Sequence, residues 1–162
     1  MTEIRPARAD DLATVAAIYN VEVEGGVGTF DTEPMGPEHF AHRLVPSDPG
    51  DVFLVADDAG TVVGFAYSGP FRPRPAYAAT RETSIYLAAA ARGRGVGRTL
   101  YAALLDRLDE AGVHTTMAVI ALPNDASEAL HRSLGFERVG VLREVGRKLG
   151  RWVDTAWWQR LC

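Results

Sequence analysis

Between residues 92 and 98 the chain reads Arg-Gly-Arg-Gly-Val-Gly-Arg. Three bare positions, Gly93, Gly95 and Gly97, alternate with Arg92, Arg94, Val96 and Arg98. A helix start leaves backbone N–H groups unpaired and carries the positive end of the helix dipole. Glycines clear away side chains that would keep an anion from those donors, and they permit positive φ. Arginines add charge around them. The chemistry this pattern suits is the binding of a phosphate or diphosphate by main chain and fixed dipole. A glycine-rich turn with no ligand is the plainer reading. The spacing is not that of a nucleotide loop ending in Gly-Lys-Ser/Thr, because Arg98 stands where lysine is needed. It is not the dinucleotide fingerprint either, because Arg98 falls where the third glycine belongs. What remains is R-x-x-G-x-G on Arg92, Gly95 and Gly97.

Such a cradle needs a strand before it and a helix after it. The run 82–87, Glu-Thr-Ser-Ile-Tyr-Leu, is rich in β-branched and aromatic residues and reads as the strand. After the glycines, Val96, Leu100, Leu104, Leu108 and Ala111 fall on one helix face, with Gly112 as the stop. Around this unit the sequence predicts a short strand at 4–6 and a helix from Asp10 or Asp11 to Glu22. A loop at 24–37 and a second helix carrying Phe40 and Leu44 come next. A hairpin of 52–57 with 61–69 follows, then a buried strand at 115–122. Asn124, Asp125 and Ser127 supply capping chemistry for a further helix stopped by Gly135. Strands at 136–146 and 151–160 end the chain. The class is α/β, with a mixed, mainly antiparallel sheet and helices on its faces.

The 162 residues suffice for one domain with its own core, and nothing suggests an internal boundary, so residues 1–162 are read as a single domain. A formal net charge of −4 argues against a general nucleic-acid binder. Arginine is nevertheless concentrated locally, and Lys148 is the only lysine. A single cysteine, Cys162, excludes an internal disulfide and a cysteine metal cluster. His39 and His42 share a helix face without an evident third ligand, so no metal is expected. No apolar run reaches the about 20 residues of a membrane span, and 1–13 lacks an apolar signal core. A cytoplasmic protein without a membrane partner is the expectation.

R-x-x-G-x-G after a strand ending in Tyr-Leu resembles the acetyl-CoA signature of the GCN5-related N-acetyltransferases (GNAT). Four further stretches, 69–77, 80–87, 119–136 and 150–160, resemble the phosphinothricin and methionine sulfoximine/sulfone acetyltransferases within that superfamily. The likeness covers nearly the whole chain. It implies the GNAT fold, about seven strands flanked by about four helices, and acetyl-CoA as cosubstrate. It also implies a small amino-acid-like amine as acceptor and a homodimer.

Forming an amide from a thioester requires a deprotonated amine, a stabilised oxyanion and a stabilised thiolate. The resemblance implies Glu82 as base, on a strand built for burial, and burial raises a carboxylate pKa toward usefulness. A surface pairing of Glu82 with Arg81 is its other possible role. His131 is implied as the acid beside the thiolate, an imidazole being able to donate near neutrality, or as a second polar group at the reaction centre. Ile85, Tyr86 and Leu87 are expected along the pantetheine, with the Leu87 N–H at the thioester carbonyl. Asn124 is expected to bond the pantetheine, cap its helix, or both. Arg72 and Arg74, in a proline-stiffened loop, suit a carboxylate or a paired-oxygen anion. Phe30, Thr83 and Lys148 match positions the family places near the acceptor.

The sequence departs from the family at 24–30, where glycine and valine replace hydroxyl side chains, and at Arg147, where an aromatic residue is common. Both changes bear on which acceptor is taken. Two other functions share the signature. A protein or peptide N-terminal acetyltransferase would need an open acceptor groove. A silent acetyl-CoA-binding module would not need Glu82 and His131 together.

Overall fold

The computed structural model describes residues 1–162. Its strands are β1 (Thr2–Pro6), β2 (Phe53–Asp58), β3 (Thr61–Pro70), β4 (Thr80–Leu87), β5 (Thr115–Ala121), β6 (Glu137–Lys148) and β7 (Arg151–Leu161). Its helices are α1 (Leu12–Gly25), α2 (Glu38–Ala41), α3 (Val96–Glu110) and α4 (Asp125–Ser133). The strands form one seven-stranded sheet in the order β1-β2-β3-β4-β5-β7-β6. Every pairing is antiparallel except β4 with β5. The predicted second helix is only one α-turn, followed by a 3-10 turn at His42–Leu44.

Period-two alternation divides the core between the two faces of the sheet. Phe53, Val55 and Phe65 join Val15, Tyr19, Val23 and Phe40 under α1 and α2. Leu54, Ala56 and Ala66 join Leu100, Leu104, Leu108 and Trp158 under α3. The three α3 leucines are completely buried, each contributing about 1.5–3 kcal/mol. They anchor the helix whose first turn is the glycine stretch. The tryptophans of β7 divide similarly: Trp158 is core, Trp157 half-buried and Trp152 exposed.

The decisive irregularity is between β4 and β5. Only Thr80, Arg81 and Glu82 pair with β5, opposite Thr115, Thr116 and Met117. Beyond Glu82 the two strands part. Backbone groups along that gap lack a ladder partner across it, and unpaired main chain must be satisfied by something else. β5 is closed on its other side by β7 along its whole length.

Candidate active site

The gap between β4 and β5 opens into a cleft of ≈ 560 Å³. Ile85, Tyr86 and Leu87 line one wall, Ala118 to Ala121 the other, and α4 the floor. At its mouth stand Arg92, Gly93, Gly95, Gly97 and Arg98. Gly93 and Gly95 adopt φ of +74° and +81°, which L side chains avoid. Gly95 is the residue from which α3 starts. The first backbone bond into α3 runs from Thr99 N–H to the Gly95 carbonyl, and the N–H groups of Val96, Gly97 and Arg98 have no acceptor in the chain. Gly97 serves a different need. A Cβ there would come 3.0 Å from Leu87 Cδ1, so glycine lets the helix sit tightly on the end of β4. Bare donors, left-handed glycines and close packing together give a concave, donor-lined surface of the kind that suits a diphosphate.

The arginines around the cradle are exposed and only lightly engaged. Arg92 meets Glu22 Oε1 at 3.1 Å and the Leu87 carbonyl at 3.3 Å. Arg94 reaches Asp58, and Arg98 the Ser133 carbonyl. Exposed pairs of this kind contribute little to stability, so exchanging them for phosphate oxygens is inexpensive. Val96 is a core residue and offers only its N–H. Asn124 Oδ1 caps α4 by accepting from Ser127 N–H at 3.1 Å. Its amide nitrogen has no partner in the chain and the residue lines the cleft, so the capping role leaves a donor free.

Glu82 opens onto a second recess of ≈ 420 Å³, on the α1–α2 face. Ser84, one pleat further on, lines both recesses and joins them. Burial lifts the Glu82 carboxyl above its ordinary value, and the nearby Arg72 guanidinium partly opposes that. Arg81 is not its partner: that guanidinium pairs with Asp48, and Asp51 lies at 3.7 Å from its Nε. A half-buried carboxylate whose pKa is raised, beside a place where two recesses meet, is suited to take a proton.

Several expected residues have other partners. His131 is buried, its Nδ1 lies 2.7 Å from the Ser127 carbonyl, and its Nε2 lies 3.1 Å from Tyr101 Oη. A carbonyl only accepts, so Nδ1 carries the proton. Burial also lowers the His131 pKa, and the bond to the Ser127 carbonyl partly opposes that. A ring with both nitrogens engaged and no spare proton does not fit the expected acid. Thr83 points away from Glu82 and into the α3 face, where its hydroxyl meets Tyr101 Oη at 2.7 Å and the Met117 carbonyl at 3.2 Å. It is therefore unavailable to an acceptor on Glu82's face. Lys148 is buried, and its Nζ donates to the carbonyls of Glu22 at 2.7 Å and Thr29 at 2.8 Å. It holds the α1 end and the following loop to the β6–β7 hairpin. Phe30 packs its ring against Gly146, where a Cβ would clash with it. Arg72 and Arg74 are exposed and line neither recess, with Arg72 lying over the Phe71 ring at 4.5 Å.

The sequence reading missed Ser84, Glu22 and Tyr101. Ser84 carries a legible signal, since it is two residues from Glu82 on a strand and must share its face. No group of three His, Cys, Asp or Glu is arranged to hold a metal. No helix is long and apolar enough to cross a membrane.

Residues 4–157 match the family model described as an acetyltransferase (GNAT) domain. Phosphinothricin N-acetyltransferase of Streptomyces coelicolor is 44% identical, over 98% of this chain and 95% of its own. A ribosomal-protein-alanine N-acetyltransferase from Brucella melitensis superposes with a TM-score of 0.94 at 42% identity, covering 99% of both chains. A GNAT superfamily phosphinothricin acetyltransferase from Sinorhizobium meliloti, solved in complex with acetyl-CoA, superposes with a TM-score of 0.93 at 40% identity. It covers 99% of this chain and 88% of that one.

Proposed function

Because the chain belongs to the GNAT acetyltransferase family, we propose that it is a single catalytic domain that acetylates the amine of a small amino acid of the phosphinothricin, methionine sulfoximine or methionine sulfone type. One observation carries the reading: Glu82 lines a recess that meets the β4–β5 cleft at Ser84. The cleft suits the coenzyme, because its mouth is an anion cradle and its walls are two unpaired strand edges. Acetyl-CoA, when bound, supplies an activated acetyl thioester.

The chain's own residues then have distinct tasks. The N–H groups of Val96, Gly97 and Arg98, with Arg92 and Arg94, hold the diphosphate. Ile85, Tyr86 and Leu87 extend along the pantetheine, and Asn124 offers it the amide nitrogen left free by capping. The Leu87 N–H is the donor for the developing oxyanion. Glu82 would accept a proton from the ammonium group, freeing its lone pair to attack the thioester carbon; the N–C bond would form as the C–S bond breaks, and the departing thiolate would take the second proton that the nitrogen loses. Arg72, whose charge is felt at Glu82, takes the acceptor's carboxylate, with Arg74 beside it. His131 shapes the cleft wall and transfers no proton.

A recess of ≈ 420 Å³ suits a small acceptor better than a polypeptide. The name of the Brucella relative keeps the peptide reading as the alternative. Thiol release on offering methionine sulfone, phosphinothricin, an alanine-led peptide and a polyamine separately tests this. Turnover on the two amino acids alone is expected; turnover on the peptide alone would reverse the assignment. Coenzyme binding with no turnover on any acceptor would indicate a silent module.

The same chain forms a homodimer through the β6 edge. That strand is open along nearly its whole length, with Val139, Val141, Leu142 and Val145 exposed, and Trp152 exposed on the neighbouring β7. Exposed apolar side chains on an unpaired edge strand are what proteins usually cover.

A further inference from the structure

The recess beside Glu82 holds a guanidinium with nothing to bind. Arg43, just after α2, makes no hydrogen bond to the chain and no carboxylate lies at ion-pair distance from it. Its Nε is buried without a partner. The group is not loose, because its central carbon sits 3.6 Å from the centre of the Tyr67 ring. Stacking on an aromatic face holds an arginine flat and leaves its edge free for oxygens. Buried polar atoms are ordinarily satisfied, so an exception asks for an explanation.

No acid of the recess pairs with Arg43. Asp48 pairs with Arg81, and Asp51 accepts from Ser47 through Oδ2 while its buried Oδ1 stays 3.7 Å from Arg81 Nε without a hydrogen-bond partner. Glu82 lines the same recess without pairing with Arg43, and the cation that acts on its carboxyl is Arg72. The recess therefore has a proton acceptor on one wall and an unused fork of donors on another, with a gap between them. A ligand matching it has an amine at one end and oxygens at the other. A short amino acid whose side chain ends in a tetrahedral, oxygen-bearing centre has that form.

We propose that this recess is the subsite for the acceptor's side chain and that Arg43, held by Tyr67, selects for sulfonyl, sulfoximine or phosphinate oxygens there. Arg72 is left to the α-carboxylate. The inference rests on the reading of the protein as an amino-acid acetyltransferase and goes beyond it in naming what sets acceptor preference. A guanidinium donating to a charged or strongly polar oxygen contributes about 10- to 100-fold in affinity.

The test compares methionine sulfone, phosphinothricin and plain methionine as acceptors for wild type, Arg43→Met and Arg43→Lys. Arg43→Met keeps the stem over Tyr67 and removes the fork; Arg43→Lys keeps charge without the fork. Calorimetric acetyl-CoA binding reports whether each variant is folded. The expected result is a drop of roughly 10- to 100-fold in the ratio of kcat/KM for the sulfone to that for methionine in Arg43→Met, carried by KM. Arg43→Lys should fall in between. An unchanged ratio overturns the subsite and leaves the amino-acid reading standing. Failure of wild type on all three acceptors, with peptide turned over, overturns both.

Discussion

Tyr101 Oη lies 3.1 Å from His131 Nε2, and this contact completes a chain that fixes the ring's tautomer. His131 Nδ1–H donates to the Ser127 carbonyl, so Nε2 accepts from the Tyr101 hydroxyl. The tyrosine oxygen also lies 2.7 Å from Thr83 Oγ1. Tyr101→Phe removes the donor and leaves a buried nitrogen unsatisfied. A loss of about 1–3 kcal/mol in denaturant unfolding is expected. His131→Gln should couple with it in a double-mutant cycle, as neighbours in one network do.

Acid should weaken the fold through the same ring. Burial holds the His131 pKa below its ordinary value. Between that lowered pKa and the unfolded value of about 6.5, the unfolded chain binds more protons than the folded one. This contribution is therefore present above about pH 6.5 and lost as pH falls through the folded pKa. Melting temperatures measured downward from neutrality should decline in wild type and decline less in His131→Gln.

Glu82 has the opposite sign. Its folded pKa is raised by burial, so its ionisation opposes folding above the unfolded carboxylate pKa. Stability falls as pH rises from that value through the folded pKa and then stays level. Glu82→Gln should accordingly be no less stable than wild type at neutral pH. Its turnover should fall about 100- to 10,000-fold with acetyl-CoA affinity retained. In wild type the rate should rise with pH as the carboxyl ionises, and that limb should vanish in the variant. Rate profiles and calorimetry on both proteins decide it.

Gly95→Ala isolates backbone conformation from crowding. A Cβ there meets nothing within 4 Å, yet φ is +81°. The left-handed residue costs about 1–2 kcal/mol, and relaxing it tilts the donors at the head of α3. Lower melting temperature and weaker acetyl-CoA binding should appear together. Intact coenzyme affinity would place the anion elsewhere.

Val141→Lys addresses the β6 edge. Val141 is 41% exposed, among the apolar residues of that strand. Light scattering at micromolar concentration should give twice the chain mass for wild type and a shift to monomer for the variant. A wild-type monomer would refute the dimer.

Local periodicity and turn chemistry determined much of this protein. The strand before the cradle, the leucine face of α3, the glycines at 93 and 95 and the paired final strands all depend on neighbours within a few residues. Even the conflict between Glu82 and Thr83 was readable, because adjacent strand residues face opposite sides and cannot both address one acceptor. Contacts between distant segments decided the rest. The parting of β4 from β5 beyond Glu82 depends on how two strands far apart in sequence meet. Lys148 is consumed by carbonyls of Glu22 and Thr29, more than a hundred residues earlier. His131 Nε2 meets Tyr101 on another helix, and Arg43 has no ion-pair partner although Asp51 and Glu82 line the same recess. A side chain's chemistry is settled by which donors and acceptors reach it, and that is a property of the assembled chain.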